Sequence, residues 1–162
     1  MGSSVEVTRR IWLLRHAKSD WHDASLGDHE RPLNKRGQRS VGELAATFRR
    51  EQIRPDVALV STARRAQETA SGLGLELTAD AALYNASAGD LLTRMRAFPA
   101  AVQSVLLVGY NPGMEDLASQ LGDSDGMTTA TLLAFDVDAL TWADLDVSNS
   151  RPVGRWEHSG RS

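Results

Sequence analysis

Residues 11–21 read Ile-Trp-Leu-Leu-Arg-His-Ala-Lys-Ser-Asp-Trp. The run from Ile11 to Leu14 is apolar without alternation, the pattern of a strand covered on both faces rather than one. Strands of that kind belong to parallel sheets with helices packed on each side. The run stops abruptly at Arg15-His16. In open α/β sheets ligands collect beyond the carboxyl ends of parallel strands, so two basic side chains at such an end mark a candidate binding edge.

Two further runs have the same character, Val57–Val60 (VALV) and Val105–Val108 (VLLV). Stretches of helical period separate them. In NKRGQRSVGELAATFRRE, residues 34–51, the side chains of Val41, Leu44, Ala45 and Phe48 fall on one helical face, and Asn34 is placed to cap it. STARRAQETASGLG reads as a helix closed by Gly72 or Gly74, and SAGDLLTRMRAF as one that starts at Ser87. In GYNPGMEDLASQLG, Pro112 suits a first turn and Gly122 an end. This rhythm predicts a three-layer α/β/α sandwich with a mainly parallel sheet. The stretch 128–147, TTATLLAFDVDALTWADLDV, reads as one or two more strands, antiparallel at an edge. The expected organisation is one domain over 1–162, with its core at 9–148 and a loosely held polar tail at 149–162 that Trp156 docks.

Composition excludes several function classes. The formal net charge of −3 comes from 18 basic and 21 acidic residues spread along the chain, which leaves no basic footprint for nucleic acid or an anionic membrane. Absence of cysteine removes disulfides, thiolate metal sites and a cysteine nucleophile together. The start, MGSSVEVTRRIWLL, has too short an apolar run for a signal peptide, and no run is long enough for a membrane span. A cytoplasmic protein is expected, with a monomer as the default; Met1–Ser4 carry no weight.

The chemistry gathers at three strand ends: Arg15-His16, then Ser61 with Arg64 and Arg65, then Gly109-Tyr110-Asn111. A guanidinium matches phosphate oxygens two at a time and stays charged. An imidazole with an ordinary pKa of about 6.5 keeps a free lone pair near neutrality and is a competent nucleophile toward phosphorus. A helix starting near Pro112 is expected to add backbone N–H groups and its positive end. His16, His22 and His29 lie among aspartates but lack the i, i+4 spacing of a zinc motif, so no metal is expected. GYNPG is no dinucleotide fingerprint, and no cofactor is expected. His22, His29 and His158 read as surface or loop residues, Trp12 and Trp142 as core, and Trp21 as either site mouth or packing.

In order, LLRHAKSDW, ERPLNKRGQRSVGELA, VSTARRAQETA and LLVGYNPGMEDLA resemble the histidine phosphatase superfamily, and within it the short phosphohistidine phosphatases of the SixA type. The resemblance covers about Ile11 to Leu121. It implies a phosphoglycerate mutase-like fold, a nucleophile at His16, and phosphate-binding arginines at Arg15 and Arg65, with Arg31 of the RPL segment at or near the phosphate. Ala17 agrees with the small residue that follows the histidine in the family. Asn111 and Tyr110 fall in the fourth motif, the first as a phosphate contact. There the family reads GHNP or SHLP, and this chain has Tyr110 in place of the second histidine. A phenol donates one hydrogen bond without charge, which implies a loss of about two decades in rate. The leaving-group acid is open: Asn85 stands near where the family carries one, and Asp20, Asp23, Asp28 and Asp90 are the alternatives. The implied substrate is a phosphohistidine on a protein or a small phosphate ester, and the alternative to catalysis is a phosphate-binding module.

Overall fold

The computed structural model describes residues 7–21, 23 and 25–161. His22 and Met1–Ser4 therefore lie outside the described residues. The Ile11–Leu14 run sits in β1 (Thr8–Arg15). The other strands are β2 (Val57–Ser61), β3 (Thr78–Asp80), β4 (Ser104–Gly109), β5 (Leu132–Asp138) and β6 (Ser150–Trp156), and the sheet order is β3-β2-β4-β1-β5-β6. β1 runs parallel to β4, with Leu13 opposite Leu107, and antiparallel to β5, with Leu13 opposite Leu133. β4, β2 and β3 are mutually parallel neighbours.

Alternation along the strands builds two cores rather than one wet face. Ile11 and Leu13 join Leu107 and Phe135 on one side, and Trp12 and Leu14 join Leu106 and Ala134 on the other. The first side is covered by α3 (Ala88–Arg96) and α4 (Gly113–Gln120), through Leu91, Met95, Met114 and Leu117. The second is covered by α1 (Lys35–Arg50) and α2 (Arg64–Ser71), through Leu44, Phe48, Ala66 and Ala70. Ile11, Leu13 and Leu14 are fully buried, and at about 1.5–3 kcal/mol each they make the centre of the sheet the favourable place for β1. The three-layer α/β/α sandwich is thus the observed fold.

The helix signals act where they were read. Asn34 accepts from the Gly37 N–H at 2.8 Å, and Ser87 with Asp90 forms a reciprocal capping box. α2 stops at Gly72, and Gly122, at φ +114, follows α4. The buried stripe of α1 is turned slightly from the expected one: it runs through Gly37, Ser40, Leu44, Thr47 and Phe48, with Val41 and Ala45 at its margin. Among the described residues no helix is long and apolar enough to cross a membrane.

Three expectations are corrected. The stretch 128–147 holds one strand, β5, which lies inside the sheet; beyond it the chain forms short 3-10 turns around buried Trp142. The edge belongs instead to β6, in the segment read as a loosely held tail. β6 pairs antiparallel with β5 through a bulge at Ala134/Phe135. Its polar composition, proline and glycine masked it, because an edge strand with one solvated side tolerates all three. Trp156 packs on Trp12 with ring centroids 5.9 Å apart, and His158 beyond it is 7% exposed rather than on the surface.

The chain after β1 is pinned to α1 by backbone contacts. Asn34 N–H donates to Lys18 O at 3.0 Å, and a Cβ on Gly37 would lie 2.1 Å from the same carbonyl. Gly37→Ala is expected to lower the urea midpoint by an amount equivalent to about 1–3 kcal/mol. Gly42→Ala, in open space on the same helix, is expected to raise it by about 0.5–1 kcal/mol. Equal shifts in urea titrations of the two variants would refute the close-packing account.

Candidate active site

At the carboxyl ends of β1 and β4 and the start of α2 lies a cavity of about 270 Å3, lined among others by Arg15, His16, Asp28, Arg31, Arg65 and Tyr110. His16 is 6% exposed. Its Nδ1 lies 2.6 Å from the Ala17 carbonyl, a pure acceptor, so Nδ1 carries the proton and Nε2 keeps its lone pair. Arg65 Nε–H donates to that Nε2 at 3.3 Å. Burial above all, then the charges of Arg65, Arg15 and Arg31, lower the ring pKa from 6.5 to about 4, against the Ala17 carbonyl, which raises it. The imidazole is therefore neutral across the physiological range. Thr69 fixes the loop below it, accepting from Ala17 N–H at 2.9 Å and donating to Arg65 O at 2.7 Å.

The arginines differ in their commitments. Arg65 is 2% exposed and faces the cavity, whereas its neighbour Arg64 points out and pairs with Glu68 at 3.1 Å. Arg15 donates Nη1–H to Met127 O at 2.8 Å, and its Nε is buried without a protein acceptor. Such a buried donor costs about 1–3 kcal/mol for as long as it has no acceptor. Arg31 donates to Ser19 Oγ at 2.6 Å and to Asp28 Oδ1 at 3.1 Å, and its guanidinium stacks 3.3 Å from the centroid of the exposed Trp21 ring. Trp21 thus belongs to the site mouth.

Asp28 is the one carboxylate among the described residues lining this cavity. It bridges the clamps: Oδ2 accepts from Arg65 Nη2 at 3.1 Å and from Tyr84 Oη at 2.8 Å, and its backbone carbonyl accepts from Arg65 Nη1 at 2.7 Å. Burial pushes its pKa up, but hydrogen bonds from Tyr84 and Arg31 and the Arg65 charge outweigh that and hold it below its ordinary range. It is ionised at neutral pH, an internal anion beside the guanidinium groups. Nothing in the sequence singled out Tyr84 or Ser19; Asp28 stood there as one of four aspartates open as the leaving-group acid.

Tyr110 presents its ring, not its hydroxyl, to this cluster. Arg65 lies over the ring, 4.7 Å from its centroid, while the phenolic O–H donates to Asn85 Oδ1. Asn85, considered for its nearness to the place of an acid, is the partner of Tyr110. Asn111 lines the cavity, but its amide N–H groups donate to Glu115 Oε2 and Met127 O, so it braces the wall through protein acceptors. The first turn of α4 does not line the cavity, and Glu115 and Asp116 occupy it. Asp90 caps α3, and Asp20 and Asp23 do not line the cavity. His29 Nε2 contacts Thr62 Oγ1 at 2.9 Å. Among the described residues no group of three His, Asp or Glu is placed to hold a metal.

The profile of the histidine phosphatase superfamily (branch 1) matches residues 11–105, the stretch that supplies His16, Arg31 and Arg65. The chain belongs to this superfamily. An uncharacterized protein of Mycobacterium tuberculosis is 34% identical over 119 residues, 72% of this chain and 75% of that one. Among solved structures, the SixA-type protein of Agrobacterium tumefaciens superposes with a TM-score of 0.77 at 28% identity, over 92% of this chain and 98% of its own. A SixA protein histidine phosphatase complexed with tungstate shares the fold at a TM-score of 0.74 and 22% identity, over 93% and 97% of the two chains. The histidine phosphatase superfamily member described here is thus SixA-like, with a phosphoglycerate mutase-like fold.

The depressed pKa of His16 has a consequence for stability. The folded value, about 4, lies below the ordinary 6.5, so the unfolded chain takes up the proton first. The neutral ring's contribution is fully present above about pH 6.5 and is lost as pH falls toward about 4, up to about 3 kcal/mol. Urea midpoints measured from pH 7 to pH 4 are expected to fall more steeply for the native chain than for His16→Gln. Parallel slopes, or a His16 ring signal titrating near 6.5 by NMR, would contradict the burial account.

Proposed function

We propose that the protein is a phosphatase that removes phosphate from phosphohistidine on proteins through a phospho-His16 intermediate. The observation that carries this reading is the His16 ring itself, neutral, held with Nε2 as the unprotonated nitrogen, and ringed by the guanidinium groups of Arg15, Arg31 and Arg65. Nε2 attacks phosphorus, the bond from phosphorus to the leaving group breaks, and that group departs with the bonding pair. Water then attacks the phosphorus of phospho-His16, which releases inorganic phosphate and returns the neutral ring. Arg15 and Arg65 neutralise the equatorial oxygens, and the charge of each counts for more in a partly dry cavity than in water. The tungstate bound to the SixA structure is a phosphate-shaped oxyanion, in keeping with this use of the fold.

The leaving group follows from Asp28. As an ionised carboxylate it is a poor proton donor, so the site favours substrates whose leaving group needs little protonation. The imidazole of a phosphohistidine meets that condition better than a sugar alkoxide. The second reading is a module that binds phosphate with little turnover. It is favoured by one observation, the Tyr110 hydroxyl held by Asn85 where the superfamily has a second histidine.

Acid-quenched protein incubated with a labelled phosphohistidine donor is expected to carry acid-labile phosphate on His16, and His16→Ala none. Arg65→Ala is expected to weaken orthovanadate binding at least tenfold, since a buried charge-assisted contact is worth about 1.5–3 kcal/mol, while Arg64→Ala leaves it unchanged. Label retained by His16→Ala, or equal effects of the two arginines, would remove the basis of the mechanism.

Tyr110→His tests the second reading. A second imidazole donor beside the transferring phosphoryl group is expected to raise kcat about tenfold or more. A measurable native rate that rises moderately supports the phosphatase, and a rise from no turnover supports the binding module. A variant slower than an already active native protein would show that the aromatic ring is part of the working site.

A further inference from the structure

Ser40 and Thr47 are polar positions on the buried stripe of α1, and His158 is a buried histidine outside the cavity; the chemistry of the cavity uses none of them. All three meet the segment after β6, which crosses α1 along one defined path. Arg36 Nε–H donates to Ser159 O at 2.6 Å, Arg39 Nε–H to Gly160 O at 2.7 Å, and Ser40 Oγ–H to His158 O at 3.0 Å. Gly160 N–H donates to Glu43 Oε1 at 3.0 Å. Gly160 has φ +69, and a Cβ there would lie 2.3 Å from Arg36 O, so glycine alone fits.

That path drives His158 between α1 and the loop joining α4 to β5. Its Nδ1 lies 2.8 Å from the Ala130 carbonyl and so donates, leaving Nε2 to accept from Thr47 Oγ1 at 2.7 Å. Ala130 adopts φ +58, a costly left-handed conformation for a residue with a Cβ. Its N–H points at Arg15 O, 3.1 Å, and His16 O, 3.0 Å. One strained residue therefore links the segment, through its carbonyl, to the backbone of the nucleophile, through its amide. A second grip lies on the same loop: Arg155 Nη2–H donates to Gly126 O at 2.7 Å and to Asp123 Oδ1 at 2.8 Å, next to the Met127 carbonyl that receives Arg15.

We propose that residues 155–160 are a positioning strap for the active site, with His158 as the positioning residue that fixes the Arg15-His16 backbone through Ala130. The proposal rests on the reading of His16 as nucleophile. The strap lies outside the stretch that the superfamily profile matches, which ends at residue 105.

Two near-isosteric variants separate positioning from mere stability. Asparagine at 158 carries its amide nitrogen near the place of Nδ1 and keeps the donation to Ala130; glutamine carries it near Nε2 and keeps only the Thr47 contact. The measurements are kcat and KM on p-nitrophenyl phosphate, urea midpoints, and hydrogen exchange of the Arg15 amide, which donates to Thr131 O at 3.1 Å. His158→Gln is expected to lower kcat about tenfold, with KM within about twofold, and to speed Arg15 exchange, because small misplacements of reacting groups cost rate steeply. His158→Asn is expected to stay near the native values in both. Arg155→Met, on the more exposed side of the strap, is expected to move kcat and exchange in the direction of His158→Gln, and provides the test if a His158 variant does not fold. Equal kcat and equal exchange in the Asn and Gln variants, or losses that follow the urea midpoints alone, overturn the proposal. A native protein without turnover overturns the phosphatase reading instead, and the exchange comparison then decides the strap by itself.

Discussion

The contact between His16 Nδ1 and the Ala17 carbonyl, 2.6 Å long, sets the terms for the rest of the site. A ring that donates from Nδ1 to an obligate acceptor has one tautomer when neutral, and its lone pair is then at Nε2, facing Arg65. Holding that carbonyl in place takes contacts from three directions. Thr69 secures Ala17 from α2, Gly37 and Asn34 secure Lys18 from α1, and Ala130 secures Arg15 and His16 from the loop before β5. Because α1 and α2 pack on the same face of the sheet, the core cluster that includes Leu14, Leu44 and Ala66 fixes both supports together.

Electrostatics then decides what the cavity admits. Burial above all, and after it the three guanidinium groups around the imidazole, keep the ring neutral, while Asp28 offsets part of the repulsion among those groups. Burial alone does not make an arginine a ligand-binding residue. Arg9 is 2% exposed, and it donates to the carbonyls of Ala139, Ala100, Val102 and Leu140 at the far end of β1. Four of its five N–H donors are used on fixed backbone acceptors, so it serves the fold. Arg15 and Arg65 instead line a cavity, where Arg15 has a donor without a protein acceptor and Arg65 meets the carboxylate of Asp28.

The parts of this arrangement that were legible in the sequence are those with local causes. Unalternated runs such as Ile11–Leu14, the Asn34 and Ser87 caps and the strand-end placement of Arg15-His16 follow from short-range patterning, and the structure retains them. Arg65 rather than Arg64 was readable only through the resemblance, since adjacent helical residues look alike until the packed face is known. Asp28, Tyr84 and Ser19 come together across 65 residues or so of chain, by way of the sheet, and no local pattern encodes such a meeting. β6 escaped for a different reason: at an edge, pairing with β5 supplies the backbone hydrogen bonds while the side chains remain polar, so period and hydrophobicity are silent.

Tyr110 shows how one substitution redistributes such a network rather than deleting a member. A histidine there would bring a second titratable ring into a cavity already crowded with positive charge. The tyrosine brings an uncharged ring face, on which the Arg65 guanidinium rests, and sends its hydroxyl outward to Asn85. Arg65 is thereby fixed from both sides, by the ring on one and by the carbonyl and carboxylate of Asp28 on the other. A guanidinium held this firmly loses little conformational freedom when a phosphoryl group arrives, which partly offsets the missing donor. The same clamping sets the Asp28 carboxylate against the Arg65 guanidinium, so the charge of Arg65 is already partly balanced inside the cavity.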